Sequence, residues 1–205
     1  KQRLMEIGRK EFLEHGYVKA SMRNISAVAN VTTGAIYFFF HNKEEFFKAI
    51  LDETATDLKK HLQNYTESEI NGSKSSAEND RELITFLFSH KEEIIILLKK
   101  AEGTVYEGYR EELCEILESA FMMFYKRYGG LDKDRNIVKI VVRMRLQGYY
   151  ELLYGDYTLE QAINYTELLA IYGDSGFAGM MKKYTDEVYI DNSGSVIAIK
   201  KSKNL

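Results

Sequence analysis

The sequence predicts an all-α fold with a small N-terminal head and a larger helical-bundle body. Three observations carry this. Apolar residues recur at helical spacing along most of the 205 residues, proline is absent, and the candidate helix ends fall at Gly, Asn and Ser. A hydrophobic content of 45% is enough for a core, and 29% charged residues is ordinary for a globular chain. The length suits one compact unit or two small ones.

The first helix covers residues 3–15, where Leu4, Ile7, Phe12 and Leu13 fall near helical spacing. Gly16 follows, at the position where a positive φ closes a helix. His15 reads as a helix-end residue favoured by the dipole, with a phosphate contact as the other reading. Tyr17 and Val18 cover the small core of the head. Ser21 caps a second helix, whose Ile25, Val28 and Ala29 make one apolar stripe. Asn30 tolerates the left-handed conformation and ends that helix. Val31 plugs back into the core. Thr32 or Thr33 then starts a third helix through Gly34, Ala35, Ile36 and Tyr37. Short helix, tight turn, short helix over about residues 21–40 is the helix-turn-helix pattern, whose second helix can enter the DNA major groove.

Asn42 with Glu45 makes a capping box and opens a connector helix. Phe46, Phe47, Ile50 and Leu51 give it an apolar face, and it runs to about Tyr65. Residues 66–80 are polar and Ser-rich and read as a loop. Helices follow over residues 81–89 and 92–100, the second apolar all round at Ile94–Leu98. Gly103 and Gly108 bend the chain. Glu111–Tyr128 is amphipathic and closed by Gly129 and Gly130. Asp132 or Asp134 caps the next helix, to Tyr154, and Thr158 with Gln161 opens a last one to about Tyr184. Both carry apolar residues on more than one face. In the last, Gly173, Gly176 and Gly179 each cost roughly 1 kcal/mol of helix propensity relative to Ala. A close helix crossing and a break in the helix are the two accounts of them. Residues 185–205 lie outside the main fold, as a small hairpin or a loose extension.

Several function classes drop out. The single Cys114 cannot form an internal disulfide, which fits a reducing cytoplasm. The longest apolar run, Ile94–Leu98, is far short of the roughly 18 residues of a membrane span, and no secretory leader is visible. His15, His41, His61 and His90 are scattered without metal-ligand spacing. Gly173-Asp-Ser-Gly-Phe177 lacks the second glycine of a serine-hydrolase elbow and sits in a helical setting. No glycine-rich phosphate loop is present. The sequence therefore predicts no enzyme and calls for no cofactor. Net charge is −3, but residues 1–50 hold eight Lys and Arg against five Asp and Glu, a local balance of +3. A basic head on an acidic body orients a molecule on a polyanion.

Over about residues 3–51 the chain resembles the TetR/AcrR family of one-component transcriptional regulators. The resemblance rests on Phe12, Gly16-Tyr17, Ser21-Met22-Arg23, Ile25, Ala29, Val31-Thr-Thr-Gly-Ala-Ile-Tyr37, Phe40 and Asn42-Lys-Glu-Glu45. It implies a DNA-binding head over residues 1–47 and an effector-binding and dimerisation domain over 48–184. It further implies a homodimer built on the last two helices, a near-palindromic DNA operator and a small-molecule effector. Carried over position by position, Ser21, Arg23, Thr32, Thr33, Gly34, Ala35, Tyr37, Phe38 and Lys43 face DNA. Tyr37 and Lys43 would hold phosphate, and the short residues before them would approach bases. Two departures stand out: Phe38 and Phe39 replace polar rings, and Thr33 replaces a frequent Lys. Affinity would then lean on Lys1 and Arg3. An aromatic effector pocket is expected among Phe86, Tyr106, Tyr109, Phe121, Met144 and Tyr149, with Glu102, Glu107, Arg143, Arg145 and Gln147 as polar candidates. The competing reading is a helical ligand-binding or scaffold protein with a vestigial head.

Overall fold

The computed structural model describes residues 1–127, 129–130, 135–182, 187–190 and 196–200. These hold nine helices, α1 (Gln2–Lys19), α2 (Met22–Ala29), α3 (Thr33–Phe39), α4 (Lys43–Asn71), α5 (Ser76–Ser89), α6 (Lys91–Lys99), α7 (Tyr109–Arg127), α8 (Arg135–Tyr154) and α9 (Leu159–Met181). Two short strands follow, β1 (Glu187–Ile190) and β2 (Val196–Lys200). No helix among the described residues is long and apolar enough to cross a membrane. The chain folds as two compact units. One comprises Lys1–Lys60 and Ser89–Leu113; the other comprises His61–Phe88 and the chain from Cys114 onward.

In the first unit α1 packs on α2 and α6. The helix bends at Gly16, whose φ of 72° is easy only for glycine. The bend lets the Tyr17 N–H donate to the Lys100 carbonyl at 2.8 Å. Arg9 adds ion pairs to Glu92 at 2.7 Å and Glu93 at 2.5 Å on α6. Phe12, Phe46, Phe47, Ile25, Ile36 and Phe40 are buried at the centre. Phe12 meets Phe47 edge-on with ring centres 4.8 Å apart, a favoured aromatic geometry. Asn30 takes the left-handed conformation (φ 57°, ψ 45°), as a tight turn between α2 and α3 requires. Val31 stays 40% exposed, against the expectation that it fills the core. Its N–H is held by the Ser26 carbonyl, and the core position goes to Ile36.

In the second unit Tyr125, Val138, Val142, Phe177 and Met181 form a buried cluster joining α7, α8 and α9. The expected loop over residues 66–80 is mostly helix: α4 runs on to Asn71 and α5 starts at Ser76. Three of the polar side chains there are withdrawn from water. Ser68, Asn79 and Asp80 are buried, and buried polar groups with partners hold a backbone as firmly as apolar ones. α9 is continuous through Gly173, Gly176 and Gly179, so no break occurs. Within the chain itself, among the described residues, no close crossing accounts for them. A Cβ on Gly176 or Gly179 would meet nothing within 4 Å, and one on Gly173 only the Arg145 Nη1 at 4.0 Å. β1 and β2 pair as an antiparallel hairpin in contact with α9. The Asp132 or Asp134 cap and the hairpin turn fall outside the described residues.

Packing is tight at Gly8 on α1. A Cβ there would lie 2.4 Å from Phe46 Cζ, and Phe46 is fully buried. Gly8→Ala should therefore destabilise the protein by about 1–3 kcal/mol despite the better helix propensity of alanine. Urea unfolding checks this; a variant as stable as wild type would mean that the α1–α4 contact is slack.

Candidate functional site

The helix-turn-helix is built from interlocking caps. Ser21 Oγ accepts from the Asn24 N–H at 3.2 Å, capping α2. Glu11, buried on α1, accepts from the Ser21 N–H at 2.9 Å and from Asn24 Nδ2 at 2.6 Å. Glu11 thus fixes the start of α2, a role that nothing in its local sequence announces. Thr32, not Thr33, caps α3: its Oγ1 accepts from the Ala35 N–H at 3.2 Å. Asn42 Oδ1 accepts from the Glu45 N–H at 2.8 Å, while Glu45 Oε2 reaches back to the His41 N–H rather than to Asn42.

The helix α3 has two faces. Thr33, Ile36 and Phe40 turn inward. Thr33 Oγ1 hydrogen-bonds Ser26 Oγ at 2.9 Å, so its hydroxyl ties α3 to α2. Gly34, Tyr37 and Phe38 fall at i, i+3, i+4 on the outer face. Phe38 is 82% exposed and sits edge-on to Phe39 at 5.3 Å. Arg23 and Thr32 are exposed, and Ala35 is half-buried. Thr32 accepts in its cap and still has a hydroxyl hydrogen to donate. Lys43 is less free than expected. Its Nζ donates to the Val18 carbonyl at 3.3 Å and lies 4.7 Å from the centre of the Tyr17 ring. Burial lowers the Lys43 pKa, with Glu11 pulling the other way. Lys1 Nζ lies 5.5 Å from the Phe40 ring centre.

The second unit encloses a cavity of about 910 Å³ between the end of α4, the start of α5, α7, α8 and α9. That size suits a drug-sized molecule. One part of the lining is a polar cluster around Asp80, which is 1% exposed. Its carboxylate accepts from Tyr149 Oη at 2.5 Å, Tyr65 Oη at 2.8 Å and Arg145 Nη2 at 2.8 Å. Arg145 Nη2 also donates to Tyr65 Oη at 2.7 Å. Beside them Glu69 accepts from Asn79 Nδ2 at 2.7 Å and Ser76 Oγ at 3.2 Å. Burial holds the Tyr149 phenol well above the ordinary tyrosine range, and the Asp80 charge adds to this. Burial also raises the Glu69 carboxyl, with the Asn79 hydrogen bond opposing. Much of the remaining lining is apolar, including Leu117, Phe121, Phe124, Val142 and Phe177.

Of the expected pocket residues, Phe121, Met144 and Tyr149 line this cavity, and Phe86, Tyr106 and Tyr109 do not. Phe86 stacks on His61 with ring centres 4.2 Å apart. Tyr106 and Tyr109 belong to the first unit, where their hydroxyls bond Asp52 and the Ala55 carbonyl of α4. Among the polar candidates Arg145 reaches the cavity, whereas Arg143 pairs with Glu118 and Gln147 with Glu151. Sequence reasoning missed Tyr65, Glu69, Asn79 and Asp80. A signal existed: Asp80, Leu83, Ile84 and Leu87 recur at i, i+3, i+4, i+7 and are all buried, a core stripe that opens with an acid. Gly173, Gly176 and Gly148 lie in the cavity wall, so their missing side chains leave room there. Gly173-Asp-Ser-Gly-Phe177 lies wholly inside α9, not at a strand-to-helix turn.

Two apolar stripes face outward. Ile137, Ile140 and Met144 on α8 fall at i, i+3, i+7; Tyr165, Leu168, Leu169 and Tyr172 on α9 fall at i, i+3, i+4, i+7, and all are exposed.

Comparison with known proteins agrees with this geometry. Residues 4–50 match the family described as bacterial regulatory proteins, tetR family. The chain is 30% identical over 131 residues to the uncharacterized HTH-type transcriptional regulator YhgD of Bacillus subtilis, covering 62% of this chain and 65% of that protein. It is 43% identical over 47 residues to the probable acrEF/envCD operon repressor of Escherichia coli K12, covering 23% of this chain and 21% of the other. The chain thus spans less than two thirds of the length of either curated relative. In fold it is similar to a transcriptional regulator of the TerR/AcrR family from Aquifex aeolicus, with a TM-score of 0.60 at 20% identity over 83% of this chain and 98% of that one.

The Glu69 environment sets a pH dependence. Because burial raises its folded pKa above the ordinary 4.5, the stability that Glu69 contributes is present at low pH and is lost as pH rises through the raised value. Glu69→Gln removes that loss. Its melting temperature relative to wild type should be higher at pH 8 than at pH 5, by scanning calorimetry. An offset that is the same at both pH values would contradict a desolvated carboxylate here.

Proposed function

We propose, on the premise that the chain belongs to the tetR family of bacterial regulatory proteins, that it is a DNA-binding transcriptional repressor controlled by a small molecule. The observation that carries this is the outer face of α3, with Thr32, Gly34, Tyr37 and Phe38 exposed on a helix whose ends are fixed by caps. A short helix held this firmly can enter a major groove without ordering itself first. Tyr37 and Arg23 hold phosphates. Gly34 lets the backbone approach a base edge, and Phe38 offers its ring to apolar groups such as the thymine methyl. Thr33 serves the α2–α3 joint through Ser26. Lys43 adds positive field beside Tyr17 rather than an unencumbered phosphate contact. The repressor sense follows the named role of the Escherichia coli relative.

The exposed stripes on α8 and α9 support a homodimer, since soluble monomers rarely leave such contiguous apolar surface. Two-fold symmetry makes the operator a near-palindrome, with half-sites about 34–36 Å or a multiple apart. The cavity in the second unit takes the effector. By linkage, DNA weakens effector binding by the factor by which effector weakens DNA binding.

Fluorescence anisotropy with DNA flanking the gene tests the reading. Binding should weaken steeply with salt, because phosphate contacts release counterions. Arg23→Ala should weaken binding to all sequences alike and reduce the salt slope by about 1. Phe38→Ala should instead change the preference among sequences. Affinity indifferent to salt would favour a ligand-binding protein whose head no longer reads DNA. Sedimentation tests the dimer: wild type should be dimeric at micromolar concentration, and Leu168→Glu with Tyr172→Glu should give monomer.

A further inference from the structure

The cavity lining carries four carboxylates, Glu69, Glu78, Asp80 and Asp174, against three cations, Lys74, Arg127 and Arg145, of which Lys74 pairs with Glu82 and Arg127 donates to the Ile70 carbonyl. Asp80 takes Arg145 together with the hydroxyls of Tyr65 and Tyr149. That pair is balanced in charge. Glu69 has no cation of its own within ion-pair distance among the described residues, and its hydrogen-bond donors, Asn79 Nδ2 and Ser76 Oγ, are both neutral. An ionised carboxylate has about four acceptor positions, so these two bonds leave capacity. Glu69 lines the cavity and is half-buried, where a charge is screened less than at a surface. We infer that the effector is an organic cation with an apolar body, its positive charge set beside Glu69 and its body against Phe121, Phe124 and Phe177. The proposal rests on the reading of this cavity as the effector site.

The alternative of an anionic effector on Arg145 meets opposition from the same geometry. Arg145 Nη2 already serves both Asp80 oxygens and Tyr65 Oη. An anion brought to that guanidinium also comes close to Asp80 and Glu69, and like charges in a poorly screened site repel. A cation meets the reverse field, and aromatic rings stand in the lining to attract it. The burial of Glu69, which raises its carboxyl, is relieved when a cation arrives. Cation binding should therefore strengthen as pH rises through the Glu69 titration.

Three probes on the full chain decide this. Nile red, neutral and fluorescent in apolar surroundings, reports the cavity. Tetraphenylphosphonium and tetraphenylborate have nearly the same size and opposite charge, and each is titrated as a competitor. Nile red should bind wild type and lose at least tenfold in affinity in Gly176→Leu. Residue 176 lines the cavity, and a Cβ there meets nothing within 4 Å, so a larger side chain at this position starts into open space. The phosphonium should displace Nile red at a concentration at least tenfold lower than the borate. Glu69→Gln should narrow that ratio several-fold, each ion being read against the Nile red affinity of the same variant. Equal or stronger displacement by the borate, or none by either ion, overturns the cation assignment and leaves the cavity standing. Absence of Nile red binding, or binding indifferent to Gly176→Leu, overturns the effector site itself and the assignment with it.

Discussion

A carboxylate with almost no access to water sets the terms for the second unit. Burying the Asp80 charge is tolerable only if opposite charge and hydrogen-bond donors surround it. They come from Tyr65 on α4 and from Arg145 and Tyr149 on α8, so one acid on α5 ties three helices together. A polar tie of this kind fixes directions and distances more strictly than apolar contact does, because each donor has one productive geometry. The helices are thus held in position around the cavity that these four residues line. The cavity and the tie are two aspects of one arrangement.

The first unit solves a different problem with different means. Its helix α3 has only seven residues, too short to be stable alone. It is held by Thr32 at one end, by the Ser26–Thr33 hydroxyl contact along its inner side, and by Ile36 and Phe40 in an aromatic core. The head is not bounded by the first 47 residues. The chain returns to it at α6, where Glu92 and Glu93 meet Arg9 and the Lys100 carbonyl takes the Tyr17 N–H. The compact unit accordingly includes residues 89–113.

How much of this the sequence disclosed depended on the kind of force involved. Apolar periodicity and capping residues found most of the helices, and Ser21, Asn30 and Thr158 do what their chemistry suggests. The outer face of α3 was legible through the family resemblance, which put Gly34, Tyr37 and Phe38 there, along with Thr33, which turns inward. Long-range polar contacts were not. Asp80, Glu69 and Asn79 lie in a stretch whose composition is that of a loop, and only partners 15, 65 and 69 residues away, for Asp80, reveal why it is helix. Tyr106 and Tyr109 illustrate the converse. Their aromatic character suggested a pocket, yet their hydroxyls had nearer partners on α4, which no local pattern could indicate.

The glycines of α9 carry a consequence for how such a protein changes over time. At residue 176 an added methyl group meets nothing within 4 Å. Alanine there would favour the helix by about 1 kcal/mol and remove a methyl's worth of room. Thermal stability and ligand capacity are thus exchanged at a single position, with no neighbour needing to adjust. On the proposed reading, small steps at residue 176 retune the size of what the cavity accepts, while the charged groups that line it stay as they were.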